Sequence, residues 1–269
     1  MTPDHRLPLT AVLITLNAAD RLEDCLASVA FCDEIVVVDA GSDDATVVIA
    51  ERHAARVIRS EWRGFGPQKQ FAVEQASHDW VLCIDADERV SERLRESICA
   101  VLPATEGSPC GAPARCVPAG TFAAYRFPRC NKFMGRYLKH GEGYPDWCLR
   151  LFDRRRARWS DDPVHEKVIA TGEVGNLSGD LLHESAESLD AYLAKQNRYS
   201  TIAAEAALAQ GRRATVAHLL LSPLLRFAKF YFFRLGLLDG LPGLVHILVG
   251  CGASFAKYAK MLAFQRNSP

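Results

Sequence analysis

The stretch VLCIDADERV at positions 81–90 runs an apolar segment straight into Asp85, Asp87 and Glu88. Carboxylates crowded at the end of an apolar run repel one another unless they share a cation. On an extended backbone Asp85 and Asp87 point to one side and Ala86 to the other. Two carboxylates so arranged hold a hard divalent cation, or one holds the cation and the other a ribose. Mg2+ and Mn2+ take oxygen ligands and complete their shell with substrate phosphate oxygens. A nucleotide diphosphate is the ligand this chemistry suits, because its charge cannot sit beside carboxylates without a cation between them. Glu88 reads as an acid on the approach to the next helix, which Ser91 caps.

Such a site needs strand ends to carry it. Residues 9–16 (LTAVLITL) read as a first β-strand, residues 34–38 as a second, 56–61 as a third and 80–84 as a fourth. Between them, D-R-L-E at 20–23 resembles a capping box ahead of a helix with Leu22, Leu26 and Val29 on one face. Helices are also expected over 46–55, over 68–75 after a turn at 64–67, and after Ser91. Strand and helix alternating in this way predict an α/β fold with a parallel, doubly wound sheet buried on both faces. Ligands of such sheets bind beyond the carboxyl ends of the strands. Three polar clusters fall at those ends: residues 15–17, 39–44 and 85–88. Residues 103–120 read as a loop, 121–168 as irregular and strand-rich, and 188–210 as a long helix ended by Gly211.

Composition narrows the class. The 269 residues carry equal numbers of basic and acidic side chains, which gives no support for a nucleic-acid partner. The balance is uneven along the chain: residues 211–269 hold eight Lys or Arg and one acid, Asp239. Nine cysteines with no C-x-x-C pair read as reduced, buried thiols of a cytoplasmic protein. The opening MTPDHRLPLT has no apolar signal-peptide core.

Taken in order, these segments resemble family 2 glycosyltransferases of the GT-A fold. VLITLN (12–17) is similar to that family's opening strand and first nucleotide loop, IVVVDAGSDDAT (35–46) to its VVDDGSTDGT segment, and IDADE (84–88) to its D-x-D. Ala40 stands where the family's second acid is found. EWRGFGPQKQFA (61–72), GYPDWCLRLFDRR (143–155), VHEKV (164–168), GDLLHES (179–185), NRYSTIAAE (197–205) and RLGLLDG (234–240) resemble the bacterial branch that adds glucose to the lipopolysaccharide inner core.

The resemblance implies an inverting transfer from a UDP-sugar, helped by Mg2+ or Mn2+. It implies that Thr15, Leu16 and Asn17 line the base, that Asp39 contacts the uracil and that Lys69 lies near the nucleotide. Asp85 is expected at the ribose or the metal, and Asp87 as the metal ligand between the phosphates. The family's general base precedes an R-L segment, which matches Asp146, with Glu142 as runner-up; an apolar setting between Pro145 and Trp147 would raise the Asp146 pKa. His165 either completes the metal shell or belongs to the acceptor site, and His183 is similarly situated. Arg150 pairs with phosphate or with Asp146. The arginines at 154, 155, 156 and 158 either meet acceptor phosphates or form a solvated basic loop.

The division expected is a catalytic domain over 1–186 and a helical extension over 187–269. Residues 219–235 form an amphipathic wheel with Arg226, Lys229 and Arg234 opposite a broad apolar face, suited to an anionic bilayer interface. Residues 241–256 are uncharged but only sixteen long, short of the ~20 needed to span a bilayer. The expected acceptor is a lipid-linked saccharide at the inner leaflet of the cytoplasmic membrane, and a homo-oligomer is possible. The rival classes are a polyprenyl-phosphate sugar synthase, a sugar-nucleotide pyrophosphorylase and a non-catalytic nucleotide-sugar-binding member.

Overall fold

Residues 9–13 alternate between two cores. Leu9, Ala11 and Leu13 enter one buried cluster, while Val12 joins a second with Val36 and Val38. A strand that buries both faces must have cover on both sides, and the elements that follow supply it. The computed structural model describes residues 7–102, 121–162, 166–185 and 188–267.

The elements run β1 (Leu7–Thr15), α1 (Ala19–Ser28), β2 (Cys32–Asp39), α2 (Thr46–Arg52), β3 (Arg56–Arg59), α3 (Phe65–Glu74), β4 (Trp80–Cys83), β5 (Glu88–Val90) and α4 (Glu92–Val101). Then come β6 (Phe122–Phe133), β7 (Arg136–Tyr137), β8 (Asp146–Asp153), β9 (Ala157–Trp159), β10 (Val168–Ala170), β11 (Glu173–Asn176) and β12 (Leu181–His183). Helices α5 (Leu189–Ala209), α6 (Val216–Phe227) and α7 (Gly240–Asn267) close the chain. The linker expected at 103–120 lies outside the described residues.

Two compact units result. The first holds Met1–Arg129 and Asp146–His183; the second holds Cys130–Pro145 and Glu184–Pro269. In the first, the sheet order is β3-β2-β1-β4-β8-β6-β12-β5. Pairings are parallel through β3, β2, β1 and β4 and turn antiparallel at β8. Strand order therefore reverses at β1, between β2 and β4, and a crevice opens there at the carboxyl ends.

Two starts differ from expectation. Helix α1 begins at Ala19 with Ala18 as its N-cap, and neither Asp20 nor any other local side chain caps it. Its first N–H groups are satisfied from a different loop: Ala18 N–H donates to Thr46 Oγ1 at 2.8 Å and Ala19 N–H to Asp44 Oδ2 at 3.1 Å. Orphan donors at a helix start need an acceptor but not a local one. Helix α3 starts at Phe65, inside the expected turn, because Pro67 falls in a first turn that needs no N–H there.

In the second unit α7 packs against both α5 and α6. One buried cluster is Ala204, Ala207, Ala214 and Met261, and Leu138, Ile247 and Cys251 are buried besides. Lys260 Nζ donates to Asn197, Ser200 and Thr201 of α5 at 2.7–2.8 Å. Buried Asp239 accepts from the Lys139 and His140 amides at 3.0 and 2.8 Å and so folds that loop. The amphipathic helix expected over 219–235 does not keep one pitch. Helix α6 passes at Phe227 into a π-helical turn over Ala228–Phe233, and Leu235 then adopts φ +55°. The wheel loses its register at that step. Two of its cations are also engaged within the unit: Arg226 pairs with Glu142, and Arg234 donates to the Tyr144 carbonyl at 2.9 Å. The short segment expected at 241–256 is part of the 28-residue α7, so length no longer argues against a span.

Candidate active site

A cleft of about 580 Å³ opens at the reversal point, lined by Thr15, Leu16 and Asn17 after β1, Asp85 and Asp87 after β4, and Lys69 from α3. With His183, which also lines it, seven of the residues singled out in the sequence thus meet in one space. Asp39 lies behind it, 1% exposed. Its carboxylate accepts from Thr15 Oγ1 at 3.1 Å, Gly41 N–H at 3.0 Å, Ser42 N–H at 2.9 Å and the Ser42 hydroxyl. Burial alone would raise its pKa; the donors from Ser42, Gly41 and Thr15 outweigh it and hold Asp39 below its ordinary value. Asn17 adopts φ +50°, a left-handed conformation that Asn tolerates well. Its side chain accepts the Asp43 N–H at 3.0 Å and its own N–H donates to Ser42 Oγ at 2.9 Å.

The acids of the D-x-D do not continue the strand. β4 ends at Cys83, and the Glu88 N–H closes a turn onto the Asp85 carbonyl at 2.9 Å. Alternation along a strand is therefore not what brings Asp85 and Asp87 to one cleft; a reverse turn does it. Turn geometry also gives them different partners. Asp85 lies 3.0 Å from Lys69 Nζ and 2.7 Å from Arg150 Nη2. Burial acts to raise its pKa, but the Arg150 and Lys69 charges overcome that and keep Asp85 well below the usual carboxylate range. Asp87 faces His183 Nε2 at 3.3 Å and Arg21 Nη1 at 3.9 Å. Glu88 is fully buried and takes the Asp85 N–H at 3.0 Å, which fixes the turn from beneath.

Strand β12 delivers His183. It pairs antiparallel with β5, setting His183 opposite Glu88. Gly179 lets the preceding loop press against α4: with φ +101° and no Cβ it avoids a collision with the Leu94 backbone. His165 lies outside the described residues. Among the described residues no three His, Cys, Asp or Glu side chains form a ready cage. A carboxylate and an imidazole 3.3 Å apart do suit one divalent ion whose other ligands come from substrate and water.

Asp146 opens β8, 40% exposed. Its setting is ionic and not apolar: Arg129 Nε and Nη2 hold Oδ2 at 2.9 and 2.8 Å. Arg150 pairs with Asp85 and Glu88, and neither phosphate nor Asp146 is needed to explain its burial. Glu142 belongs to the other unit, where Arg226 binds it. The four clustered arginines each have a protein partner: Arg154 the Glu74 carbonyl, Arg155 Asp153 and Asp79, Arg156 the Phe122 carbonyl, and Arg158 Asp161.

Several lining residues escaped the sequence reading. Trp62 and Phe65 meet edge to face at 4.9 Å at the cleft, both half-exposed. Their signal was two aromatics flanking a glycine with no periodic reason to be there. Glu166, 3.4 Å from Lys69, sits one residue beyond the histidine that drew attention in VHEKV. Arg21 at the cleft, and Arg129 at Asp146 and Glu88, carry no sequence signal of their own; topology alone brings them in.

A parallel half-sheet with polar loops at its reversal point, followed by antiparallel strands, is the GT-A architecture. The glycosyl transferase family 2 model matches residues 10–156, and the chain belongs to that family. It is a glycosyltransferase. It is 33% identical to the lipopolysaccharide core biosynthesis glycosyltransferase LpsC of Rhizobium meliloti (strain 1021), over 98% of this chain and 94% of that one. An uncharacterized glycosyltransferase of Rickettsia prowazekii (strain Madrid E) is 28% identical over 94% of this chain and 86% of its own. Among solved structures, Staphylococcus aureus TarS 1-349 in complex with UDP aligns over 97% of this chain and 92% of its own at 14% identity, TM-score 0.46.

Proposed function

We propose that this chain moves a hexose, glucose, from a UDP-sugar to a hydroxyl of a lipid-linked saccharide, the lipopolysaccharide inner core, with inversion at the anomeric carbon. The observation that carries the reading is the Asp87–His183 pair facing a cleft shared with residues 15–17 and Lys69. The near full-length likeness to a lipopolysaccharide core glycosyltransferase supports the acceptor class.

Each residue then has work that its surroundings permit. The backbone after β1, at Thr15, Leu16 and Asn17, takes the base. Asp39, its carboxylate taken up by Thr15, Gly41 and Ser42, shapes that loop from behind and does not itself face the base. Lys69 and Arg21 lie where diphosphate charge would gather, Lys69 already beside Asp85 and Arg21 beside Asp87. Asp87 and His183 would hold Mg2+ or Mn2+, which when bound offsets the charge of the departing diphosphate. Asp146 takes the proton of the acceptor hydroxyl as it attacks. Arg129, gripping one carboxylate oxygen, leaves the other for that proton.

The helical unit would lie on the inner leaflet of the cytoplasmic membrane. Helix α6 has no buried residue, and Leu220, Leu221, Leu224, Leu225 and Phe233 are all exposed, Phe233 at 83%. Val216–Phe233 and Gly236–Arg266 are each long and apolar enough to cross a bilayer. A span by α7 is disfavoured because Lys260 ties its second half to α5, which carries Asp190, Lys195, Arg198 and Glu205. Apolar burial, more than lipid charge, would then hold the protein, since Arg226 and Arg234 are already engaged.

The test is UDP release from UDP-glucose, with UDP-galactose and UDP-N-acetylglucosamine compared, on a truncated lipopolysaccharide core acceptor with and without Mn2+. Glucose transfer lost in EDTA is expected; equal turnover in EDTA would sink the metal reading. Co-sedimentation with vesicles tests the surface: Leu224→Ser with Leu225→Ser should release the protein more than Lys229→Gln does.

A further inference from the structure

A chain of alternating charges joins the cleft to Asp146. Lys69 Nζ lies 3.0 Å from Asp85 Oδ1, and Arg150 Nη2 lies 2.7 Å from Asp85 Oδ2 and 3.4 Å from Glu88 Oε1. Arg129 Nη1 approaches the same Glu88 oxygen at 3.4 Å, and Arg129 Nη2 holds Asp146 Oδ2 at 2.8 Å. All six residues belong to one unit. Glu88 is the middle member and the only one of the three carboxylates with no exposed surface.

The distances rank the contacts. Each arginine is bound tightly to its outer carboxylate and loosely to Glu88. Glu88 therefore acts as a shared counter-ion that lets two guanidinium groups lie side by side while facing opposite ways. Its second oxygen accepts the Asp85 N–H at 3.0 Å, so the same side chain also fixes the turn that carries Asp87. A buried ionic cluster is a costly way to fill a core, and apolar residues of the same volume would serve packing as well. What the cluster adds is register between two distant carboxylates.

We propose that Glu88 is a positioning residue for the transfer reaction: by seating Arg129 and Arg150 together it holds Asp146 in fixed register with the Asp85–Asp87 turn, without touching substrate. The proposal rests on Asp146 being the general base. Proton removal in a displacement tolerates little misplacement of the base. Glu88→Gln keeps the side-chain volume. Its one carbonyl oxygen can still accept the Asp85 N–H, which leaves an NH2 donor facing two guanidinium donors. The turn is kept and the seat of the arginines is lost.

The experiment measures UDP affinity with Mn2+ by calorimetry, and kcat and donor KM from UDP-glucose release on a truncated lipopolysaccharide core acceptor. Glu88→Gln, Arg129→Gln, Asp146→Asn and both double variants with Asp146→Asn are compared. Glu88→Gln should lower kcat by about tenfold or more while Mn2+–UDP affinity and donor KM stay within about threefold. Arg129→Gln should reproduce that split. In the Asp146→Asn background neither change should lower the residual rate further, since both act through that carboxylate. Full activity in Glu88→Gln and Arg129→Gln with Asp146→Asn inactive would overturn the positioning role and leave the base intact. Full activity in Asp146→Asn would overturn the base reading itself, and the proposal with it. Losses that multiply in the double variants would also overturn the proposal. If Glu88→Gln melts at the assay temperature, the more exposed Arg129→Gln carries the same test.

Discussion

The two units solve the burial problem in opposite ways. The first covers both faces of its sheet with its own helices, and its fully buried side chains include Phe127, Phe152, Leu82 and Leu94. Its loops are closed as carefully as its core: Asp39, Asn17 and Asp44 spend their side chains on neighbouring backbone. The second unit buries far less, a cluster of three alanines and a methionine together with Cys130, Leu138, Ile247 and Cys251, and leaves the leucines of α6 outside. A region that turns apolar residues outward is not stabilised by them in water. On the function proposed above, unit one would hold a polar ligand rigidly and unit two would meet an apolar surface.

The sharpest way to break this contrast is at Asp87, the acid proposed to hold the metal. Asp87→Ala should abolish transfer and Mn2+-dependent UDP binding with melting temperature nearly unchanged, because the ion-pair partners of Asp87, His183 and Arg21, line the cleft; UDP release and calorimetry check it. Next comes burial. Leu82→Ala should cost about 2–5 kcal/mol in urea unfolding, whereas Leu224→Ala on α6 should change stability by about 0.5 kcal/mol or less in the absence of lipid. Equal costs would erase the distinction between the units. Third, Asp146→Asn should lower kcat by roughly 10²-fold and leave nucleotide affinity near wild type, in stopped assays of UDP release.

The smallest effect tests the closed polar network of unit one. Glu34 accepts from the Ser77 N–H and hydroxyl, the Thr10 hydroxyl and Arg56. Burial alone would raise its pKa, but those donors outweigh it and lower the pKa from 4.5 to about 2. A depressed carboxylate stabilises the fold above its unfolded pKa, and the contribution fades as pH falls through the folded value. Glu34→Gln should therefore cost on the order of 2 kcal/mol at pH 7. The gap to wild type should close between about pH 4.5 and pH 2 in acid-unfolding curves. A gap independent of pH would assign the cost to packing.

The parallel half of the sheet was legible in the sequence because its strands are short apolar runs bounded by polar loops, and local pattern alone decides such runs. The D-x-D was legible for the same reason, although its geometry was not. A reverse turn closed by the Glu88 N–H, and not strand alternation, separates the partners of Asp85 from those of Asp87. Asp146 was singled out by its neighbours in a motif, but Arg129, which sets its surroundings, lies seventeen positions away on a paired strand. Long-range ion pairs leave no periodicity to read. The same blindness misjudged the tail: a wheel drawn at constant pitch cannot foresee a π-turn after Phe227, nor Arg226 turning to Glu142. The cap of α1 was misread because a local acid seemed sufficient, and the acceptors came from a loop more than twenty residues away.

That borrowed cap has a kinetic consequence. The amides of Ala18 and Ala19 are held by Thr46 and Asp44, those of Asn17 and Asp43 by Ser42 and Asn17, and those of Gly41 and Ser42 by Asp39. No one of these loops can breathe alone. In hydrogen–deuterium exchange the start of α1 and the segment after β2 should exchange as one cooperative unit, with a common opening free energy. A ligand seated in the cleft, which Asn17, Ala18 and Arg21 line, would then slow exchange at Gly41 and Asp43, which do not line it, and the segment after β2 becomes a remote gauge of occupancy.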